Sequence, residues 1–117
     1  MRKIKFANGE YYHILNRGVD KRTIFLNKED LGRFFQSMQE FNTLNPIGSI
    51  YEAQFHKKEN SDRLGSLAPN VSFICYCLNP NHYHLILKQL VERGVEKFMH
   101  RLASGYSNYF NLKYKRS

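Results

Sequence analysis

Cysteine is scarce in this chain, with only Cys75 and Cys77 in 117 residues, which excludes a fold built on a disulfide framework. The two lie on one strand-like run, two apart, where they project to the same side and are poorly placed to bridge each other. Such usage fits a reducing compartment. No hydrophobic run approaches the length of a membrane span, and the opening Met1-Arg2-Lys3-Ile4-Lys5 leads into polar residues rather than an apolar signal segment. A cytoplasmic protein with no membrane partner is expected. Internal repeats, low-complexity tracts and a second domain are also missing. Acidic residues are in short supply, 10 Asp and Glu against 18 Lys and Arg, for a formal net charge of +8. A polyanion is the natural partner, and nucleic acid bound through counterion release is the favoured one.

What the chain does have is enough apolar material for one modest core: 42% of residues are hydrophobic and 24% charged, close to ordinary globular usage. Residues from Glu10 to Asn16 are rich in strand formers and stop at the turn signal Arg17-Gly18. Asn27 can cap a helix whose apolar positions Leu31, Phe34, Phe35, Met38 and Phe41 follow helical spacing. Between Thr43 and Asn70 the pattern dissolves apart from an apolar patch at Ile50 to Phe55, so a long connection is expected there. The runs Val71 to Leu78 and His82 to Lys88, joined by the turn formers Asn79-Pro80-Asn81, predict a β-hairpin. Val95, Phe98, Met99, Leu102, Tyr106, Tyr109 and Phe110 then step along a second helix. The order β-α-β-β-α predicts an α+β fold in which a ferredoxin-like antiparallel sheet carries its helices on one face; a fourth strand, which that fold would add, is not visible.

Alternate strand residues share a face, so His82, His84 and Ile86 point one way while Tyr83, Leu85 and Leu87 point the other. With the leucines toward the helices, the histidines occupy the open side of the sheet. Two imidazoles this close can hold a divalent cation if other ligands complete the shell. Two other readings use the same residues. The histidines can be ordinary strand residues, or they can join Cys75 and Cys77 in a two-cysteine, two-histidine zinc site across the hairpin. Against the zinc site, structural zinc usually draws paired ligands from tight loops or helices, and small residues such as Cys75 and Cys77 commonly pack in a core.

The segment Cys77-Leu78-Asn79-Pro80-Asn81-His82-Tyr83-His84-Leu85-Ile86-Leu87 closely resembles the HUH segment of the REP-associated tyrosine transposases and their insertion-sequence relatives. The likeness extends to Tyr12-His13-Ile14-Leu15-Asn16-Arg17-Gly18 and Ile24-Phe25, and to Phe98-Met99-His100-Arg101-Leu102 through Tyr106, Tyr109, Phe110 and Asn111. It covers most of the chain outside residues 43 to 70. The resemblance implies a metal-dependent single-strand DNA transposase or endonuclease. In it, Mg²⁺ or Mn²⁺ held by His82 and His84 polarises the scissile phosphate. A tyrosine attacks to leave a 5′-phosphotyrosine and a free 3′-hydroxyl. Tyr83 is then the variable hydrophobic residue between the ligands, and single-stranded or hairpin DNA is the partner.

In that family the nucleophilic tyrosine and the third metal ligand sit on a later helix, beyond a strand that would follow Ser117. The expectation is therefore a transposase-like domain spanning residues 1 to 117 and incomplete at its C-terminus. Tyr106 and Tyr109 are the available substitutes, but their spacing with Phe98, Leu102 and Phe110 makes them core-facing or groove-lining first. In family members that act as homodimers the nucleophile comes from a second chain, which would still need that helix. Of the basic clusters, Arg17, Lys21 and Arg22 are read as DNA-phosphate contacts. Lys113, Lys115 and Arg116 suit the last helical turn equally as dipole partners, and Lys57 to Arg63 as a solvated loop. Two rivals stand beside the transposase reading: a DNA-hairpin-binding module that does not cleave, and a small zinc-stabilised binding protein.

Overall fold

A computed structural model describes residues 6–43 and 68–115. The apolar patch Ile50 to Phe55, the charged run Lys57 to Arg63, most of the connection expected between Thr43 and Asn70, and Arg116 lie outside those residues. Strand β1 runs Tyr11–Arg17, a short 3-10 turn follows at Val19–Lys21, and helix α1 covers Lys28–Glu40. Strands β2, Val71–Asn79, and β3, His82–Gln89, form the hairpin, and helix α2 covers Gly94–Tyr114. The fold is α+β, with a three-stranded antiparallel sheet of order β1-β3-β2 and two helices, as in a ferredoxin-like arrangement.

Local chemistry explains where the elements start. The Asn27 side chain accepts a hydrogen bond from the Asp30 amide at 3.1 Å, capping α1. Helix α2 follows the left-handed Arg93 and has no side-chain cap from that position. Instead the buried Gln89, at the end of β3, accepts from the Val95 amide at 3.1 Å with its Oε1. Its Nε2 donates to the Phe6 carbonyl at 3.2 Å and to Asn8 Oδ1 at 2.9 Å. One side chain thus ties the start of α2 to the segment preceding β1. Gly94 is forced by proximity, since a Cβ there would stand 2.4 Å from the Asn70 carbonyl oxygen.

The core lies on the helix side of the sheet. Tyr83, Leu85 and Leu87 from β3 meet Phe34 and Met38 of α1 and Val95, Phe98, Leu102, Tyr106 and Phe110 of α2. Phe34 packs against Tyr83 and Tyr106 at ring-centroid distances of 4.7 Å and 5.3 Å, and Phe73 against Phe98 at 5.3 Å. The helical spacing predicts this set well, with one departure. Phe35 is 40% exposed and packs at the sheet margin against Tyr76, 5.3 Å away.

Cys75 and Cys77 are not core residues: both are exposed. The cause is a β-bulge. Val71 pairs with Gln89 and Phe73 with Leu87 on the core side, but Ile74 is then inserted and Cys75 pairs with Ile86. The extra residue inverts the alternation. Cys75 and Cys77 therefore turn to the open face, and Tyr76, opposite Leu85, turns to the helix side.

The two helices are locked by a carboxylate. Asp30 has no exposed surface, and its oxygens accept from the Leu26 amide at 2.9 Å, Tyr109 Oη at 2.8 Å, Tyr114 Oη at 2.7 Å and Lys113 Nζ at 3.0 Å. Lys113 also reaches Glu29 at 2.9 Å. Burial pushes the Asp30 carboxyl up. The Tyr114 hydroxyl, the Leu26 amide, Lys113 and the Tyr109 hydroxyl outweigh it and bring the group down to about 2. A depressed carboxyl pKa stabilises the fold above the unfolded value of about 3.9, and that contribution is lost as pH falls toward 2. Asp30→Asn should therefore cost about 2 kcal/mol at pH 7 in urea unfolding, with the difference from wild type closing as pH drops from 4 to 2. A constant difference across that range would assign the cost to packing instead.

Candidate metal centre and nucleic-acid interface

Strand β3 is bonded on both sides, so each of its outward residues heads a row across the open face. Arg17, His82 and Asn79 form one row; Leu15, His84 and Cys77 the next; His13, Ile86 and Cys75 the third. The expected pair therefore lies on the open face. The His82 and His84 rings are 5.1 Å apart and nearly perpendicular. A third histidine, not anticipated among the site residues, joins them: His13 stacks on His84 at 5.0 Å and their Nε2 and Nδ1 atoms are 2.9 Å apart. Alternation along β1 carries the information that His13 shares a face with Arg17. The rung on which it meets β3 depends on pairing between distant segments.

The hydrogen bonds around these rings set which nitrogens are free. Asn81 donates its amide group to the Lys21 carbonyl at 3.4 Å, which aims its Oδ1 at His82 Nδ1, 2.7 Å away. His82 Nδ1 must then carry the proton, leaving its Nε2 as a lone pair, 3.2 Å from Asn79 Nδ2. His84 matches this in the tautomer whose Nδ1–H donates to His13 Nε2, again leaving Nε2 bare. Holding the far nitrogen of an imidazole as a donor is the usual way a protein orients a metal-binding histidine. Partial withdrawal from water, together with His13, His82 and Arg17 nearby, holds His84 below the ordinary histidine value, which favours its neutral form.

His82 and His84 are the residues that could hold a divalent cation, and oxygens of water or phosphate would have to complete its shell. Among the described residues no group of three or more His, Cys, Asp or Glu side chains is placed to hold a metal. Cys75, Cys77, His82 and His84 accordingly do not assemble into a four-ligand zinc site, although bulge and alternation turn all four to one face.

The first basic cluster is brought to the same end of the sheet. Arg17 ends β1 opposite His82, and Lys21 and Arg22 follow in the exposed loop. That loop is fastened to the histidine-bearing turn: Gly18 N donates to the Asn81 carbonyl at 2.9 Å, and Ile24 N and Phe25 N donate to the Pro80 carbonyl at 2.7 Å and 3.2 Å. A Cβ at Gly18 would lie 2.4 Å from the Arg22 carbonyl oxygen, so this turn requires glycine. Lys113 of the second cluster is engaged by Glu29 and Asp30, which raises its pKa and commits it to the helix junction. Lys115 is exposed.

Tyr106 and Tyr109 stand on the opposite side of the sheet from the histidines. Tyr106 is buried and its hydroxyl donates to the Ile24 carbonyl; Tyr109 donates to Asp30. Burial, and then the negative charge of Asp30, push both phenols up, the reverse of what a nucleophile needs. Tyr11 does share the histidine face, 59% exposed beside Lys88. It lies four strand positions from Leu15, which at roughly 3.3 Å per residue is beyond reach of a phosphate held at His84.

His13→Ala removes the group that holds His84 Nδ1, so Mn²⁺ affinity, followed by paramagnetic resonance of the free ion, should fall about 10-fold to 100-fold with the fold intact. Unchanged affinity would show that His84 needs no such support. No protein-family model, curated protein or solved structure matches this chain.

Proposed function

We propose that the chain is a metal-dependent domain of the single-strand DNA transposase or endonuclease class, acting on single-stranded or hairpin DNA. The observation that carries this reading is the His82–His84 pair, with His82 Nδ1 anchored by Asn81, His84 Nδ1 against His13 and the His82 Nε2 lone pair met by the Asn79 amide, next to Arg17, Lys21 and Arg22. A bound Mg²⁺ or Mn²⁺ would supply charge neutralisation at the phosphoryl oxygens. The chain's own part is to hold that ion through the two imidazoles and to draw the strand's backbone across Arg17 and the loop behind it. The resemblance of Cys77 to Leu87 to the HUH segment points to the same chemistry. No helix among the described residues is long and apolar enough to cross a membrane. Work on DNA beside two exposed free thiols suits the cytoplasm.

A second reading, hairpin binding without cleavage, is favoured by the tyrosines. Among the described residues none presents a phenol beside the histidines, so a phosphotyrosine would have to form on a residue outside them or on a second copy of the chain in a homodimer.

Labelled DNA hairpins with single-stranded extensions, incubated with Mn²⁺ and run on a denaturing gel, separate these readings. An adduct that needs Mn²⁺ and disappears in the His82→Ala, His84→Ala double variant, while that variant still binds the hairpin, is the outcome of the transposase chemistry. Binding with no adduct leaves the binding module. An adduct surviving the double substitution would remove the histidines from the reaction, and absence of both binding and adduct would overturn the DNA reading.

A further inference from the structure

On the helix side of the sheet, at the end of β1, lies a cavity of about 310 Å³ between the loop after β1 and α2. Its apolar wall is made by Ile24, Tyr83, Tyr106 and Phe110, side chains already held by the core. Its polar edge comes from Thr23, Ser107 and Asn111, and its rim from Arg17 and Arg22. Neither guanidinium is paired with a carboxylate among the described residues.

This combination selects a ligand class. The volume lies at the small end of ligand pockets, roughly 300–1,000 Å³, which suits a single ring system and not an extended chain. Aromatic and aliphatic walls favour a flat apolar ring. The short polar side chains can meet hydrogen-bonding edges, and a pair of arginines suits a phosphate on either side of it. A nucleotide meets all three requirements, and only an unpaired one can enter, because a base inside a duplex is held in its stack.

The cavity is also joined to the candidate metal centre. Arg17 belongs to both: it is the register partner of His82 and it lines the cavity. The loop that forms one wall is pinned to the histidine turn through Gly18, Ile24 and Phe25 and to α2 through the Tyr106 hydroxyl on the Ile24 carbonyl. The wall is therefore built before any ligand arrives.

We infer that this cavity takes one unpaired base of a DNA strand whose neighbouring phosphates rest on Arg17 and Arg22, the strand passing the β1 edge of the sheet from the cavity on the helix side toward His82 and His84 on the open face. The inference rests on the single-strand DNA reading and adds to it a specificity pocket.

Abasic scanning tests it. Hairpins with a labelled single-stranded extension, each lacking one base, are titrated by fluorescence anisotropy against wild type and against Ser107→Phe, which fills the cavity from an exposed position of α2. Wild type should lose about tenfold in affinity at one position and little elsewhere. Ser107→Phe should bind every strand as wild type binds that one abasic strand, and Asn111→Phe, one turn further along the helix, should do the same. Tight hairpin binding with a flat abasic profile, or a profile unchanged in both variants, would overturn the pocket alone. Failure to bind any of the DNAs would overturn the DNA reading and the pocket with it.

Discussion

A strand bonded on both edges has no freedom left except which residues face which way, and β3 is that strand here. Its alternation is strict: Tyr83, Leu85, Leu87 and Gln89 are buried, and His82, His84, Ile86 and Lys88 are turned outward. Burying the three apolar side chains is worth on the order of 1.5–3 kcal/mol each, and a slip of one residue would exchange the two sets. The same term that holds the core therefore holds the histidines on the open face. It also fixes their neighbours, because the register with β1 and β2 lays His13, Arg17, Cys77 and Asn79 around them.

The helix side is closed by polar groups that leave little to chance. Asp30, on α1 and buried without exposed surface, gathers hydrogen bonds from α2 and from the backbone before α1. Gln89 does the equivalent at the other end, joining β3, α2 and the segment before β1. A buried polar group stabilises only when fully partnered, and both of these side chains are, which makes them devices for fixing one arrangement of helices on sheet. They also take Tyr109, Tyr114 and Lys113 out of circulation as reactive groups, since each is committed to Asp30.

Much of this was legible in residue patterns. Periodicity predicts both helices, the hairpin and the face of His82 and His84, and Asn27 declares the start of α1. Two things were hidden. The bulge at Ile74 leaves no mark in Val71-Ser72-Phe73-Ile74-Cys75-Tyr76-Cys77, a run in which simple alternation sends both cysteines to the core. Nor does composition show that His13 stands beside His84, because that contact joins residues 71 apart in sequence and depends on which rung of β1 meets β3. Local signals give faces; register comes only from the assembled sheet.

The loop after β1 shows how the basic cluster and the histidines come to be held as one unit. Asp20 and Lys21 adopt φ values of 53° and 60°, a region that side-chain-bearing residues normally avoid. Within the loop only the turn bonds from Lys21 N to the Gly18 carbonyl and from Arg22 N to the Val19 carbonyl, each 3.0 Å, oppose that strain. The rest comes from outside it, in the bonds from Gly18, Ile24 and Phe25 to the carbonyls of Pro80 and Asn81, with the Asn81 side chain reaching back to the Lys21 carbonyl. Asn81 is also the residue that holds His82 Nδ1. One asparagine thus couples the backbone of the basic loop to the tautomer of a histidine, so a disturbance of either would be felt by the other. Arg17 and Arg22 are consequently presented in a fixed relation to His82.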